Sequence, residues 1–310
     1  MTLPIHLDLL LLSSLKKKVE KMNQWTECNI QGFIPGPTET EEKFLERVSF
    51  CKNLEQHLSA SKSGFPFQAN DPQSKEIVSE AFDLTEKLYG IRPNWVPAFF
   101  SNYQMSPWHG GCAWIFQLDA HSPVSAFLQL RAKFLNDSTF LKIYKRKELL
   151  AHELAHVGRM NYQEPQFEEM FAYQSSSAKW RRFFGPIVQS SKESLYFILL
   201  LGLAVIADAA LITFPNQINS ISILIKLIPI LVLLLALGRL YLRHRIFEKC
   251  KTKLASLFGA TKGQHLLYRL TDKEIKHFSK SSLSSIQTFI EGSSKSSFRW
   301  KFLKTLYSEE

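Results

Sequence analysis

Two apolar stretches constrain this chain more than anything else in it. Leu195 to Phe214 and Ile221 to Tyr241 are each about as long as the ~20 residues that a bilayer-spanning helix needs. Only the short link from Pro215 to Ser220 separates them. Two helices joined so tightly form a hairpin, which leaves the segments before and after it on the same side. Lys179, Arg181 and Arg182 precede the first stretch, and Arg239, Arg243, His244 and Arg245 close the second, while the link carries no charge. By the positive-inside rule both flanks face the cytoplasm. Each stretch holds one charge, Asp208 and Lys226, about equally far from the middle of the link. An ion pair across the hairpin would relieve the cost of burying either alone.

The whole chain is 45% hydrophobic and 21% charged over 310 residues, with a formal charge of +10, enough to bury a core besides these stretches. The surplus suits an anionic partner. The basic residues flank apolar segments and form no aromatic-interleaved stripe, so a lipid bilayer is expected and nucleic acid is not. Cys28, Cys51, Cys112 and Cys250 lie far apart with no CxxC pair. That pattern excludes a cysteine zinc ribbon and a disulfide framework, and fits a reducing compartment.

The chemistry concentrates at His152-Glu153-Leu154-Ala155-His156. On a helix, positions i and i+4 lie one turn apart on one face, so both imidazoles can bind one metal ion. Glu153 beside them is placed to take a proton from water that the metal acidifies. The approach, Lys145 to Leu150, holds no Gly or Pro, and Leu149, Leu150, Leu154 and Val157 supply a packing face. So many charges exclude this helix as a membrane span, and with it a metal site inside the bilayer. Zinc needs a further protein ligand. After a turn around Asn161, Pro165 is expected in the first turn of a second helix, where Glu164, Glu168 and Glu169 either complement the helix N-terminus or reach the metal.

HExxH followed by a helical Glu resembles the gluzincin zinc metallopeptidases, and Glu169-Met170-Phe171-Ala172-Tyr173 is similar to their Glu-x-x-Ala-Asp signature. The resemblance runs from about Lys147 to Tyr173. It implies Zn2+ held by His152, His156 and Glu169, with Glu153 as catalytic base and a protein or peptide as substrate. Two departures matter: the spacing to the Glu is short, and Tyr173 stands where the Asp would orient a ligand histidine. Glu168 is therefore an alternative ligand. Glu248, which follows the apolar hairpin, ranks below both because it lacks the Ala-Asp continuation.

Other residues near the motif have possible roles. Arg159 either binds a substrate carbonyl or terminal carboxylate or sits in a salt bridge. Tyr173 or Tyr162 is a candidate donor to a developing oxyanion. His109 and Cys112 fall in or beside a loop, Trp108 to Cys112, and read more readily as structural than as ligands.

Along the chain, Met1 to Leu12 lacks a basic n-region and reads as an amphipathic helix running into Lys16–Lys18, not as a signal peptide. Thr38 to Ser59 and Ser74 to Leu88 read as helices, the second ending at Gly90. Segment 112–118 is expected as a sheet edge able to pair with an extended peptide. Ala126 to Phe134 alternates as a half-buried strand exposing Gln129, Arg131 and Lys133. Thr271 is expected to cap a helix. The segment Ser279 to Ser297 is Ser- and Lys-rich, and Phe298 to Phe302 suits an anionic membrane surface.

The expected fold class is α+β: an N-terminal helical region (1–70), a zincin-like metallopeptidase domain with a small mixed sheet (71–190), a two-helix transmembrane hairpin (195–241) and a basic helical C-terminal region (242–310). The expected activity is that of a membrane-anchored zinc metalloendopeptidase. A catalytically inactive adaptor that keeps the fold is the alternative.

Overall fold

The computed structural model describes residues 5–60, 72–189, 191–213 and 219–307. Five helices lead: α1 (Ile5–Ile30), α2 (Glu41–Lys52), α3 (Leu54–Ala60), α4 (Pro72–Ser79) and α5 (Phe82–Tyr89). Thr40 caps α2 by accepting from the Lys43 N–H. The expected helix from Ser74 to Leu88 breaks at Ala81, and α5 ends as read from the sequence, with Gly90 at φ +67° supplying the left-handed turn.

Short strands follow: β1 (Ala98–Phe100), β2 (Gly111–Phe116), β3 (Ser125–Leu130), β4 (Thr139–Phe140) and β5 (Tyr144–Lys145). The main sheet has the order β1-β3-β2, parallel between β1 and β3 and antiparallel between β3 and β2; β4 and β5 pair separately. As expected, β2 lies at an edge. β3 departs from expectation. It is buried along its whole length, and the chain after it turns into a 3₁₀ helix at Ala132–Leu135. A central strand paired on both sides, with α2 and the HExxH helix packed nearby, leaves no solvent face. Gln129 tolerates this burial because its amide donates to the Ser101 and Tyr103 carbonyls (3.1 and 2.8 Å) and accepts from the Trp114 indole (2.8 Å).

Then come α6 (Arg146–Gly158), α7 (Glu168–Ala172) and α8 (Lys179–Phe184). The apolar helices α9 (Ser191–Thr213) and α10 (Asn219–Phe258) pack against one another. The C-terminal helices are α11 (Ala260–Tyr268), α12 (Asp272–Lys280), α13 (Leu283–Ser296) and α14 (Phe298–Tyr307). Thr271 and Glu274 close a reciprocal capping box on α12. The molecule is thus predominantly helical with small sheets, the coarser form of the expected architecture.

One hydrophobic cluster draws on α1, the sheet, α6, α10 and every later helix, from Trp25 to Tyr307. Each fully buried Leu or Phe within it contributes roughly 2 kcal/mol. The C-terminal segment therefore lies in the core and not on a membrane surface. Trp300 and Phe302 are buried, and Phe302 packs against Trp25 and Phe44 with centroids at 5.5 and 5.6 Å.

Among the described residues, one helix is long and apolar enough to cross a membrane, Leu227–Phe258; the apolar part of α9, Leu195–Ala209, is shorter. At the base of the pair, Arg239 makes a two-pronged bond to Glu193 (2.9 and 3.0 Å). The Lys226 side chain, and so its expected pairing with Asp208, lies outside the described residues. Cys28, Cys51, Cys112 and Cys250 are all free thiols, and all but Cys112 are buried.

Candidate metal centre

Helix α6 carries the motif as its sequence dictates. Leu150, Leu154 and Val157 sink fully into the core, which turns His152 and His156 toward α7. Their rings lie 5.1 Å apart, nearly perpendicular. Phe167 caps α7, so Pro165 lies before the helix and not in its first turn. That shift brings Glu169 onto the imidazoles: its carboxylate oxygens stand 3.7 Å from His152 Nε2 and 3.6 Å from His156 Nε2. Ligand atoms of all three residues lie within 4.8 Å of one another. Two zinc ligands at about 2.0–2.1 Å from the ion and at a tetrahedral angle stand ~3.3 Å apart, close to the two Glu169–imidazole distances.

The outer contacts fit the same ion. His156 Nδ1 meets Glu168 Oε1 at 3.2 Å, and Glu168 Oε2 accepts from Arg159 Nε at 2.7 Å. Glu168 is thus the carboxylate that holds His156, the part expected of residue 173, and Glu169 stands between the two Nε2 atoms. The His152 ring donates to the Ala172 carbonyl and packs edge-on against Tyr173, centroids 4.8 Å apart. His156 is therefore held through Nδ1, which leaves its Nε2 toward Glu169.

Glu153 is buried beside them, and the Ala113 N–H of β2 donates to its carboxylate. Burial pushes its pKa up to about 7, the range that suits a general base at neutral pH. Burial, together with His156 and Arg181, drives His152 well below the ordinary imidazole value. Burial opposes charge on His156 as well, but the Glu168 hydrogen bond and the charges of Glu169, Glu168 and Glu153 outweigh it and raise that group to about 9. Burial raises Glu169. On Glu168 burial acts upward too, yet Arg159 and His156 prevail and hold it below the ordinary carboxylate range. Among the described residues no lysine or arginine bonds Glu169; its ion-pair partners are the two imidazoles. The site thus gathers acids around two imidazoles, of which His156 carries a proton at neutral pH when no metal is bound.

Arg159 is spent elsewhere. Its guanidinium is 1% exposed and donates to Glu168 and to the Tyr268 and Leu270 carbonyls, the salt-bridged alternative and not a substrate-facing one. The Tyr162 hydroxyl donates to the Arg269 carbonyl (2.7 Å) and is unavailable as an oxyanion donor. Glu164 leaves the site to accept the Asp272 N–H at the start of α12. Glu248 is exposed on α10 and stands outside the triad, as do His109 and Cys112.

No family model, curated protein or solved structure matches this chain.

Two contributors escaped the sequence reading. The Ala113 N–H reaches Glu153 through backbone alone, which leaves no side-chain signal. Gly185 lies against the Tyr173 ring so closely that a β-carbon would collide with it, and Tyr173 in turn backs His152. A glycine followed by proline reads simply as a turn.

Proposed function

We propose that the chain is a membrane-tethered zinc peptidase of gluzincin type. The observation that carries this reading is the convergence of His152 Nε2, His156 Nε2 and Glu169 beside a buried, non-ligating Glu153. Zinc is favoured because two imidazoles and a carboxylate are its usual donor set in hydrolases. When bound there, it supplies Lewis acidity, lowering the pKa of water and polarising a scissile carbonyl.

The chain's own residues do the rest. Glu153 accepts a proton from the attacking water and passes it to the departing amine, held in position by the Ala113 N–H. The edge strand β2 lies next to α6 and offers main-chain pairing to an extended peptide. Glu168 and the Ala172 carbonyl fix the imidazoles. The apolar part of α10, with α9 beside it, is the tether; both spans crossing, with catalytic domain and termini on the cytoplasmic side, belongs to the same proposal.

The test is zinc content together with hydrolysis of a peptide library by the wild type and Glu153→Gln. Expected are stoichiometric zinc in both and an activity loss of about 10²–10⁴-fold in the variant. Zinc in both with hydrolysis in neither would identify an inactive metal-binding adaptor. Protein purified without zinc and unable to take it up would refute the metal centre.

A further inference from the structure

The segment between the metal centre and the apolar helices carries a surface that the proposed chemistry does not use. Helix α8 buries none of its residues completely. Trp180, Phe183 and Phe184, at positions i, i+3 and i+4, share one face and are 62%, 41% and 47% exposed. Lys179 and Arg182 are exposed on the same short helix. The β4–β5 turn lies alongside, because Arg181 donates to the Ile143 carbonyl (3.1 Å), and there Leu141 and Ile143 are exposed as well. Clustered aromatics at one end of a soluble domain mark an interaction site.

What covers this surface follows from its position. The Phe183 ring stacks on His244 of α10, centroids 4.6 Å apart and planes within 4° of parallel, and His244 bonds the Phe183 carbonyl. His244 lies three residues past Tyr241, where the apolar stretch of α10 ends, which is ~4.5 Å along the helix axis. The headgroup layer on each side of a hydrocarbon core is about 5–7 Å thick. Helix α8 therefore lies at headgroup depth if α10 crosses the bilayer. Tryptophan and phenylalanine beside lysine and arginine are the residues that settle in that layer, the basic ones against anionic lipid.

We infer that α8 lies in the headgroup layer of an anionic bilayer, aromatic face toward the acyl chains, and seats the metal centre against the membrane. The inference rests on the tether proposed above. The link to the centre is short: Gly185 directly follows α8 and packs on Tyr173, which packs on His152. A metal centre held this way meets peptide segments just as they leave the bilayer.

The test reconstitutes the full chain in phosphatidylcholine–phosphatidylserine vesicles and measures tryptophan quenching by lipids brominated on the acyl chains. Wild type should be quenched, and Trp180→Phe should lose most of that quenching, although Trp108 and Trp114 remain exposed. Lys179→Glu/Arg182→Glu should weaken quenching more in phosphatidylserine vesicles than in pure phosphatidylcholine. Equal quenching in wild type and Trp180→Phe, with the chain resisting alkaline extraction, would overturn the seating of α8 and leave the tether standing. Release of the chain by alkaline extraction would overturn the tether and the seating together. Neither readout depends on peptidase activity, so loss of the hydrolase reading leaves both intact.

Discussion

Two clusters of buried charge meet at residues 268–270, and they are balanced in opposite ways. In the first, Glu274 receives the Arg299 guanidinium and the Trp300 indole (2.8 Å), while Arg299 also donates to the Arg269 carbonyl (2.8 Å). Arg269 in turn donates to Asn29 and to the Tyr89 and His265 carbonyls, each at 2.7 Å. Anion and cation come from the same chain, and the result is a brace between α1, α5, α12 and α14. In the second, Glu168 has Arg159, but Glu169, one residue on, has only imidazoles. A cluster balanced by guanidinium groups, which do not give up their protons, holds a fold together; one balanced at Glu169 by an imidazole alone can exchange that proton for an ion from outside.

This contrast breaks most visibly at Arg299. Replacing it with Met strands Glu274 without its cation inside the core, at an expected cost of about 3–5 kcal/mol that zinc does not restore. Thermal unfolding with and without zinc checks this, and a variant rescued by zinc would mean that the two clusters are not distinct. Next in size, Glu169→Gln should cost metal-free stability much less than Arg299→Met, since the His156 proton that Glu169 favours can leave and Glu168 remains as its partner, while weakening zinc binding by more than about 100-fold. A large stability loss without metal would place Glu169 among the braces.

Glu168→Gln should weaken zinc by about 10–100-fold, because it unfixes the His156 ring without removing a ligand. It should also destabilise the fold by stranding Arg159. Both effects in one variant are the mark of a residue shared by the two kinds of cluster. The smallest effect is that of pH. In the metal-free protein His156 is raised to about 9 from an ordinary 6.5, so stability from its protonated form is complete below 6.5 and lost as pH rises through 9. Zinc must displace that proton, so competition with a chelator should show affinity rising about tenfold from pH 7 to pH 8 and levelling above 9. A flat profile would mean that His156 is already neutral and that the acids around it do not act as described.

The histidine pair and its carboxylates were legible because the helical repeat alone fixes His152, Glu153 and His156, and a short connection leaves few carboxylates within reach. The choice between Glu168 and Glu169 was not legible. One residue of helix rotates the side chain by ~100°, and the start of α7 depends on how Phe167 packs against Phe247 of α10, contributed from eighty residues away. Arg159 could be placed only once its partners on 268 and 270 were known. The segment Phe298 to Phe302 alternates aromatic and basic residues, which suits a lipid surface. Its burial follows from Glu274, a partner that no local pattern announces. The alternation of 126–134 misled for the converse reason, because a strand with neighbours on both edges can bury a glutamine whose amide is fully bonded.

Helix α10 runs unbroken from its apolar half to Phe258, and past Arg239 its side chains Phe247, Cys250 and Leu254 become part of the core. Arg243 on the same helix donates to the carbonyls of Gln166 and Pro186, on the loop before α7 and the turn after α8. The apolar pair is therefore no cord that can be cut to free an intact domain. A chain ended before α9 would lose a wall of its interior and the arginine that ties down both sides of α7. Whatever tilts the buried half of that rod pulls directly on the segment that presents Glu169.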